Sequence, residues 1–298
     1  MVDRYVEGFL LHRESEGRSS KTLAWHDASL RLFTAWLRDE EHPFDPVEWT
    51  PTLIRKYFVH LRERKAKSGN LLSPTSVRTY ASSVLAFCRW LHDEELIPKN
   101  IVERVSAPKP PQLIKEPFAA SDIKRMLLVA ARDKRNGKRD HALLLFMLDT
   151  GCRANEVVTL KTDDILWSQR LCKVRGKGNK ERVVFLSAET MKQMQRYHLR
   201  SSTHELFFLS EEGRPMTPSG LLQIMKRLGK RAGVSDCHPH RFRHTFSISF
   251  LRSGGNVLAL QRILGHTTLT MTQRYVALVS DDLAKEHVAH SPVQFMLK

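Results

Sequence analysis

Prolines at positions 108, 110 and 111 are the feature that most limits how this chain of 298 residues can fold. Three prolines within four positions cannot continue a helix, and they favour an extended, semi-rigid connection. We therefore predict a first domain over residues 1–105, a proline-rich linker at 106–116, and a second domain with a C-terminal tail over 117–298. Each domain is long enough to bury a hydrophobic core of its own.

Apolar spacing predicts a helical first domain. Apolar residues recur at steps of three and four from Val77 to Leu91, and Ser73-Pro74 just before them is typical of a helix start. A second apolar stripe, from Leu23 to Leu37, follows Ser19-Ser20 in the same way. Residues 5–13 and 51–65 supply two more helical segments. These four segments predict a small helical bundle.

The second domain is predicted as mixed α and β, so that the whole chain is mostly α with a small β-sheet. Two short strands, Leu171–Arg175 and Arg182–Leu186, are joined through Gly178-Asn179, which indicates a β-hairpin with a tight turn. Helices are predicted from the cap Ser121-Asp122 to about Arg132, over His141–Thr150, from Thr217-Pro218 to about Arg231, over Arg241–Arg252, over Val257–Leu264, and around Tyr275.

Charge is distributed unevenly between the two parts. Residues 1–110 carry 17 basic and 15 acidic side chains, whereas residues 111–298 carry 31 and 17. An excess of this size in one part of the chain indicates a polyanionic partner, although a merely soluble basic surface is the alternative.

The sequence contains no run that predicts a membrane span or a signal peptide. Its strongest apolar run, Ala142–Leu148, is much shorter than the ~18 residues that a span needs. Four widely separated cysteines without a CxxC pair predict a reduced, cytoplasmic protein.

Several residues that are far apart in the sequence could form a functional site, although each is weak evidence for one on its own. Arg153 follows the helix stop at Gly151 and stands at the start of the next predicted helix, where free backbone N–H groups favour an anion. It is three residues before Glu156, but an arginine–glutamate pair at that spacing usually lies on a surface. Lys177 lies beside the predicted hairpin turn, where it could reach into a groove or simply be solvated. Tyr275 alone would ordinarily be a core or surface residue.

The histidines allow conflicting interpretations. His238, His240 and His244 could bind zinc, but no cysteine or carboxylate lies at a suitable spacing. Alternatively, His240 and Arg243 face one phosphate from the start of a helix, and His244 then points elsewhere as a structural residue. His266 follows the next helix stop, at Gly265, and lies nine residues before Tyr275.

Taken together, these residues closely resemble the tyrosine recombinase (integrase) family, near its Xer-like two-domain members. The family pattern of Arg, Lys, His-x-x-Arg, His and Tyr is matched by Arg153, Lys177, His240, Arg243, His266 and Tyr275. The flanking motifs Thr-Gly-x-Arg-x-x-Glu, Gly-Lys-Gly-Asn-Lys-Glu-Arg and Leu-Gly-His match too. The resemblance also covers the first domain, through residues 78–80 and 87–91.

The resemblance implies an N-terminal SAM-like domain that binds core DNA and a C-terminal catalytic domain. Tyr275 is then the nucleophile, and its product is a 3′-phosphotyrosine that can be rejoined to another 5′ hydroxyl. The planar forks of Arg153 and Arg243, with His266, stabilise charge on the non-bridging oxygens. Lys177 protonates the leaving oxygen, His240 is the acid/base partner of Tyr275, and Glu156 orients Arg153. No metal or other cofactor is required.

The implied partner is double-stranded DNA with a specific core site, bound by four protomers on two duplexes, alone or with a partner recombinase. The tail at 282–298 packs into a neighbouring protomer or onto its own domain. Its Ser-Pro segment favours mobile-element integration or excision over chromosome dimer resolution. Candidate DNA contacts are Lys21, Arg78, Thr79, Lys226, Arg227, Lys230 and Arg231.

Three other functions remain open at this stage. A DNA-binding protein without catalysis would not require the six active-site residue types. A metal-dependent nuclease that uses the histidines would lose activity in excess EDTA. A topoisomerase-like enzyme shares the tyrosine chemistry, and it would relax supercoils without a site preference.

Overall fold

The structure, a computed structural model, describes residues 2–66, 68–111, 116–176, 181–199 and 204–266, together with 268, 272 and 275. The chain divides into two compact units, residues 1–113 and 114–298. The division falls within the predicted proline-rich linker, of which residues 112–115 lie outside the described part. The exact domain boundaries stay a prediction.

The first unit is built from four long helices. They are α1 (Val2–Ser15), α2 (Ser20–Asp39), α3 (Pro51–Glu63) and α4 (Pro74–Asp93), with a 3-10 turn at Pro46–Glu48. Ser19, Thr50 and Ser73 cap α2, α3 and α4 by accepting backbone N–H groups of the first turn. The largest side chains in the core are aromatic, and Phe9, Phe33, Tyr57 and Phe87 are fully buried. The predicted helical bundle is therefore confirmed.

The second unit is mostly helical and contains one small sheet. Its helices are α5 (Ala120–Ala131), α6 (Gly137–Thr150), α7 (Ala154–Val158), α8 (Ala188–His198), α9 (Pro218–Ala232), α10 (Pro239–Arg252) and α11 (Val257–Leu264). Its strands are β1 (Ile165–Leu166), β2 (Leu171–Arg175) and β3 (Glu181–Phe185), and 3-10 turns lie at Thr162–Asp164 and Trp167–Gln169. Thr272 and Tyr275 are also helical. The expected fold class, mostly α with a small β-sheet, is confirmed.

The strands form one antiparallel sheet in the order β1-β2-β3. Leu171 pairs with Phe185 and Arg175 with Glu181, which confirms the predicted hairpin. The predicted turn at Gly178-Asn179, with Lys177 and Lys180, lies outside the described residues. Alternation along β3 places Arg182 on the same face as Val184, which is fully buried.

Several helix boundaries differ from the prediction, and one helix was missed. Asp122 is the third residue of its helix rather than part of the cap, and its carboxylate accepts the N–H of Ala119 at 3.2 Å. Helix α6 begins at Gly137 and α10 at Pro239, in both cases earlier than expected. Helix α8 was missed because its buried face consists of threonine, methionine and tyrosine rather than branched aliphatic residues.

Helix α6 is the centre of the second unit and packs against α5, α8 and α10. It ends at Gly151, whose positive φ of 60° and tight surroundings both require glycine, because a Cβ would lie 2.5 Å from Phe246. The chain can therefore turn sharply into α7 at this point. Within the described ranges, none of the helices is long and apolar enough to cross a membrane.

We predict that the two units unfold separately. Limited proteolysis should cut first within residues 106–116, because prolines there prevent regular backbone pairing and leave the chain accessible. Mass spectrometry of the fragments would locate the cut, and thermal unfolding of each fragment should be cooperative. Cleavage that begins within α4 or α6, or fragments without a cooperative transition, would contradict the two-domain division.

Candidate active site

The site begins where α6 turns into α7. Arg153 is the residue before α7, in an extended conformation, and its side chain is 42% exposed. Its backbone N–H donates to Glu156 Oε2 at 2.7 Å, and its Nη1 donates to Glu156 Oε1 at 3.1 Å. Glu156 thus holds both the backbone and the guanidinium of Arg153, so the orientation of this arginine depends on one carboxylate.

The Glu156 carboxylate is almost completely buried and also binds a second arginine. Arg182 on β3 donates from Nη2 to Glu156 Oε2 at 2.9 Å and from Nη1 to Oε1. Burial opposes the ionised form of Glu156, but the hydrogen bonds and charges of Arg182 and Arg153 outweigh it, and the pKa of Glu156 is lowered. The carboxylate is therefore a fixed negative charge between two cations.

The C-terminus of α11 provides the other anchor for the arginines. The Ile263 carbonyl accepts from Arg182 Nε at 2.7 Å, and the Leu264 carbonyl accepts from Arg153 at 3.4 Å and from Arg243 at 2.9 Å. Carbonyls in the last turn of a helix lack helical partners and carry partial negative charge. Gly265 ends the helix with φ of 62°, and a Cβ there would lie 3.0 Å from the Arg182 side chain.

Arg243 lies in the interior of this cluster, and its side chain is only 2% exposed. It donates to the Gly151 carbonyl at 2.9 Å and, from Nη2, to the Leu264 carbonyl and to His266 Nε2 at 2.8 Å. Burial lowers the pKa of Arg243 to about 10, and the charge of Arg153 acts in the same direction, against Glu156 and Tyr275. The guanidinium is still charged at neutral pH.

His266 connects Arg243 to the segment that carries Tyr275. Its Nδ1 lies 2.8 Å from the hydroxyl of Thr272, which is fully buried and precedes Tyr275 by three residues. The His266 and Tyr275 rings are nearly parallel, with centroids 6.4 Å apart. The predicted histidine and tyrosine therefore lie next to each other.

Tyr275 packs in a small apolar cluster between α10 and α11, with Ile248, Leu260 and Leu264, and is 8% exposed. The expectation that His244 points away from the site is wrong, since its ring centroid is 5.4 Å from that of Tyr275. His244 follows Arg243 directly on α10, and its ring lies on the side of the helix where Tyr275 packs. His244 is thus a neighbour of the phenol.

The remaining predicted site residues either lie outside the described part of the chain or lie at the start of α10. Lys177 lies outside the described residues. His240 is one turn before Arg243 on α10 and has an exposed side chain. His238 caps α10 by accepting the N–H of Arg241 at 3.2 Å and lies 3.4 Å from Asp236. Among the described residues, no three histidine, cysteine or carboxylate side chains come together as metal ligands would.

The candidate DNA contacts on α9 differ in their surroundings. Lys226 and Lys230 are exposed and line a shallow pocket with His238 at the start of α10. Arg227 instead binds Glu211 and lies 3.3 Å from Asp140, and Arg231 lies 3.2 Å from Asp133. Two of the four basic side chains are thus already paired with carboxylates of the same unit.

In the first unit, Lys21, Arg78 and Thr79 are exposed near the starts of α2 and α4. These two helices are joined by the hydrogen bond between His26 Nδ1 and Ser83 Oγ, at 2.7 Å. The rings of Trp25 and Tyr80 lie 5.0 Å apart between the same helices. The three candidate contacts therefore belong to two neighbouring helix ends.

Sequence reasoning missed two residues of the cluster. Arg182 was part of a quoted motif without a role, although an arginine on the inward face of a strand beside Val184 is a signal of a buried partner. Thr272 gave a weaker signal, its three-residue spacing from Tyr275. Cys152 lies 3.8 Å from Arg182, and burial raises the pKa of its thiol to about 11, which favours the protonated form at neutral pH.

Glu156 and the last carbonyls of α11 gather three guanidinium groups, with a histidine and a tyrosine beside them. Such an arrangement can bind an anionic group such as a phosphodiester. Residues 118–281 match the phage integrase family, which is more than half of the chain. The chain therefore belongs to this family, and the resemblance inferred from its motifs is confirmed.

Individual relatives match along nearly the whole chain. The tyrosine recombinase XerC of Staphylococcus carnosus is 28% identical over 299 residues, with 98% of each chain covered. The tyrosine recombinase XerD of Pseudomonas putida is 26% identical, with 98% of this chain and 97% of that protein covered. The integrase of the transposon Tn1549, solved with transposon right-end DNA, has a TM-score of 0.79 at 19% identity and covers 96% of this chain and 98% of its own. That last likeness is one of fold.

We predict that Arg182→Leu lowers the free energy of unfolding by about 3 kcal/mol at neutral pH, because it leaves the buried Glu156 with one cation instead of two. Urea denaturation measures this. The pKa of Glu156 is lower in the folded state, so its contribution is complete above the unfolded value of ~4.3 and is lost as the pH falls through the folded value. In Arg182→Leu, the acid-induced loss should begin at a higher pH.

Arg182→Lys is the matched control, because it keeps the positive charge but loses the bidentate fork. Its loss of stability should be smaller than that of Arg182→Leu. An Arg182→Leu protein as stable as the parent at neutral pH would contradict the anchoring role of this ion pair.

Proposed function

We propose that this protein is a site-specific DNA recombinase, an integrase, which cuts and rejoins DNA strands through a covalent bond to Tyr275. The observation that carries the proposal is the convergence of Arg243, His266 and Tyr275 beside the cluster of Arg153 and Glu156. Arg243 and His266 are 2.8 Å apart, and the His266 ring is stacked parallel to the Tyr275 ring. A protein that only bound DNA would not need a tyrosine next to this cluster.

The reaction is a transesterification at phosphorus. The Tyr275 oxygen attacks the phosphodiester, a phosphorus–oxygen bond to tyrosine forms, and the bond to the 5′ oxygen breaks. The energy of the broken linkage is kept in the 3′-phosphotyrosine, which a 5′ hydroxyl of another strand can attack in turn. Water takes no part, which is what separates a recombinase from a nuclease.

Charge stabilisation is the largest task of the site, because negative charge grows on the non-bridging oxygens in the transition state. Arg153 and Arg243 can each present a planar fork to those oxygens, and His266 can donate one more hydrogen bond. Glu156 and the α11 carbonyls hold the arginines in place before DNA arrives. Three cations and one carboxylate leave the cluster with a net positive charge that suits a phosphate.

Two proton transfers complete the reaction. The phenol, with an ordinary pKa of ~10, loses a proton as it attacks, and His240 is the proposed acceptor. Its place one turn before Arg243 supports this assignment. The departing 5′ oxygen gains a proton, for which Lys177 on the β2–β3 hairpin is the proposed donor. Neither transfer requires a metal ion or another cofactor.

The proposed partner is double-stranded DNA with a specific core site. Each protomer has one Tyr275, and exchange of both strands between two duplexes needs four cleavages, so we propose a tetramer on two sites. Lys226 and Lys230 are the better supported backbone contacts on α9, since Arg227 and Arg231 are engaged in ion pairs. Lys21, Arg78 and Thr79 are the proposed contacts of the first domain.

We propose that the biological task is integration or excision of a mobile element in the cytoplasm, rather than chromosome dimer resolution. The support is the Ser291-Pro292 segment of the tail, which departs from the usual dimer resolvases. Attachment sites flanking the gene would support this task. A single site at the chromosome terminus region would favour dimer resolution instead.

We predict that Tyr275→Phe abolishes covalent capture of DNA while binding is retained, because only the attacking oxygen is removed. The protein is incubated in EDTA with nicked duplexes that carry a randomised segment, and the complexes are denatured in SDS. DNA that remains attached to the wild-type protein is sequenced, which also reveals the core site. Gel-shift titration of that site measures binding by the Phe variant.

Adducts that survive the Tyr275→Phe change would overturn the nucleophile assignment. Wild-type adducts that appear only when a divalent metal replaces EDTA would favour metal-dependent chemistry. Adducts without any sequence preference, together with supercoil relaxation, would favour a topoisomerase-like activity over site-specific recombination.

We predict that Lys177→Ala slows cleavage roughly a hundredfold or more, and that a sulfur atom in place of the bridging 5′ oxygen restores the rate. A thiol has a pKa of ~8.5, so a thiolate leaves without the proton that an alkoxide requires. Quenched time courses on both substrates measure the two rates. Tyr275→Phe is the control that sulfur should not rescue, and equal slowing of Lys177→Ala on both substrates would refute its role as the acid.

A further inference from the structure

The hydrogen bonds of His266 determine which of its nitrogen atoms carries the proton. Arg243 Nη2 lies 2.8 Å from His266 Nε2, and a guanidinium can only donate hydrogen bonds. Nε2 must therefore accept, which makes the ring neutral with its proton on Nδ1. The Thr272 hydroxyl oxygen, 2.8 Å from Nδ1, accepts a hydrogen bond from this N–H.

This arrangement is the opposite of the one needed during the reaction. A histidine that donates from Nε2 to a phosphate oxygen must carry a proton on Nε2. When a phosphate attracts Arg243 Nη2, Nε2 loses its donor and faces an anion instead. The neutral ring can then take up a proton at Nε2 from solvent and release the one at Nδ1, and in that tautomer Nδ1 needs a donor.

We propose that Thr272 is a positioning residue that serves both states of His266. A hydroxyl is one donor and two acceptors, so it accepts from Nδ1–H without DNA and donates to bare Nδ1 with DNA. A backbone carbonyl or a carboxylate could only accept and would hold the proton on Nδ1. Thr272 is fully buried, which keeps water from replacing it in this role.

The position of Thr272 also connects this change to the nucleophile. Both Thr272 and Tyr275 are helical, and residues three apart lie on neighbouring parts of a helix surface. The hydrogen bond between Thr272 and His266 therefore holds Thr272, three residues before Tyr275, against the cluster of arginines. This inference rests on the proposed function for its catalytic consequence, whereas the protonation of His266 in the free protein does not.

The kinetic test compares Thr272→Val, which is nearly isosteric but has no hydroxyl, with Thr272→Ser, which keeps it. Single-turnover cleavage is measured on the duplex that the wild-type protein captures, at saturating DNA. We expect Thr272→Val to lower the cleavage rate constant about tenfold, with the dissociation constant for DNA within about twofold. Thr272→Ser should restore most of the rate. If Thr272 had a purely structural role, Thr272→Val would lower the fraction of active protein, measured as the amplitude of the cleavage time course, and would leave the rate constant unchanged.

The second test uses NMR of protein labelled with 15N-histidine to observe the ring nitrogens of His266 directly. The His266→Gln variant identifies which signals belong to His266. The free wild-type protein should show the Nδ1–H form of His266, and the complex of Tyr275→Phe with DNA should show a proton on Nε2. An Nε2–H signal in the free protein, or a Thr272→Val rate constant within twofold of wild type, would overturn the proposal. Equal slowing by Thr272→Ser and Thr272→Val would also overturn it. Failure of the wild-type protein to capture any DNA would refute the recombinase function alone.

Discussion

The site depends on one buried carboxylate and one helix end. Glu156 and the last carbonyls of α11 together bind Arg153, Arg182 and Arg243, which come from three separate parts of the chain. Without these acceptors, three guanidinium groups could not approach one another, since like charges repel strongly where water is excluded. The carboxylate and the carbonyls therefore offset the repulsion between the three guanidinium groups before any DNA is bound.

Collecting the charge in advance has a chemical benefit. Donors that are already oriented towards developing charge need no reorganisation at the moment of reaction, and they act more strongly in a site with little water. Arg153 and Arg243 differ in this respect, because the first is 42% exposed and the second 2%. Arg153 is therefore the more accessible of the two arginines from solvent, while Arg243 lies inside the fold.

Much of this architecture could be read from the sequence, for identifiable reasons. Caps such as Ser73 and helix stops such as Gly151 and Gly265 act locally, so they predict boundaries from a few residues. Motif spacing identified Arg153, Arg243, His266 and Tyr275 through resemblance, and the structure brings these four together.

The parts that could not be predicted depend on contacts between distant segments. The Arg182–Glu156 pair joins residues 26 positions apart, and Thr272 acquires its importance only when its helix lies beside His266. His244 was misjudged for the same reason, since its surroundings depend on where the distant Tyr275 packs. Helix α8 was missed because its stripe of methionine and threonine lacks a strong periodic signal.

In the free protein, Arg243 donates hydrogen bonds to two carbonyls and an imidazole, all of which are neutral acceptors. Hydrogen bonds from a guanidinium to an anion are roughly twice as strong as those between neutral groups. A phosphate oxygen can therefore displace the imidazole from Arg243, and the displaced Nε2 then requires a proton. His266 is hydrogen-bonded to Thr272, three residues before Tyr275. Arrival of a phosphate would therefore change the hydrogen bonds beside the proposed nucleophile. In the proposed mechanism, the cluster thus couples recognition of the phosphate to the position of the Tyr275 phenol.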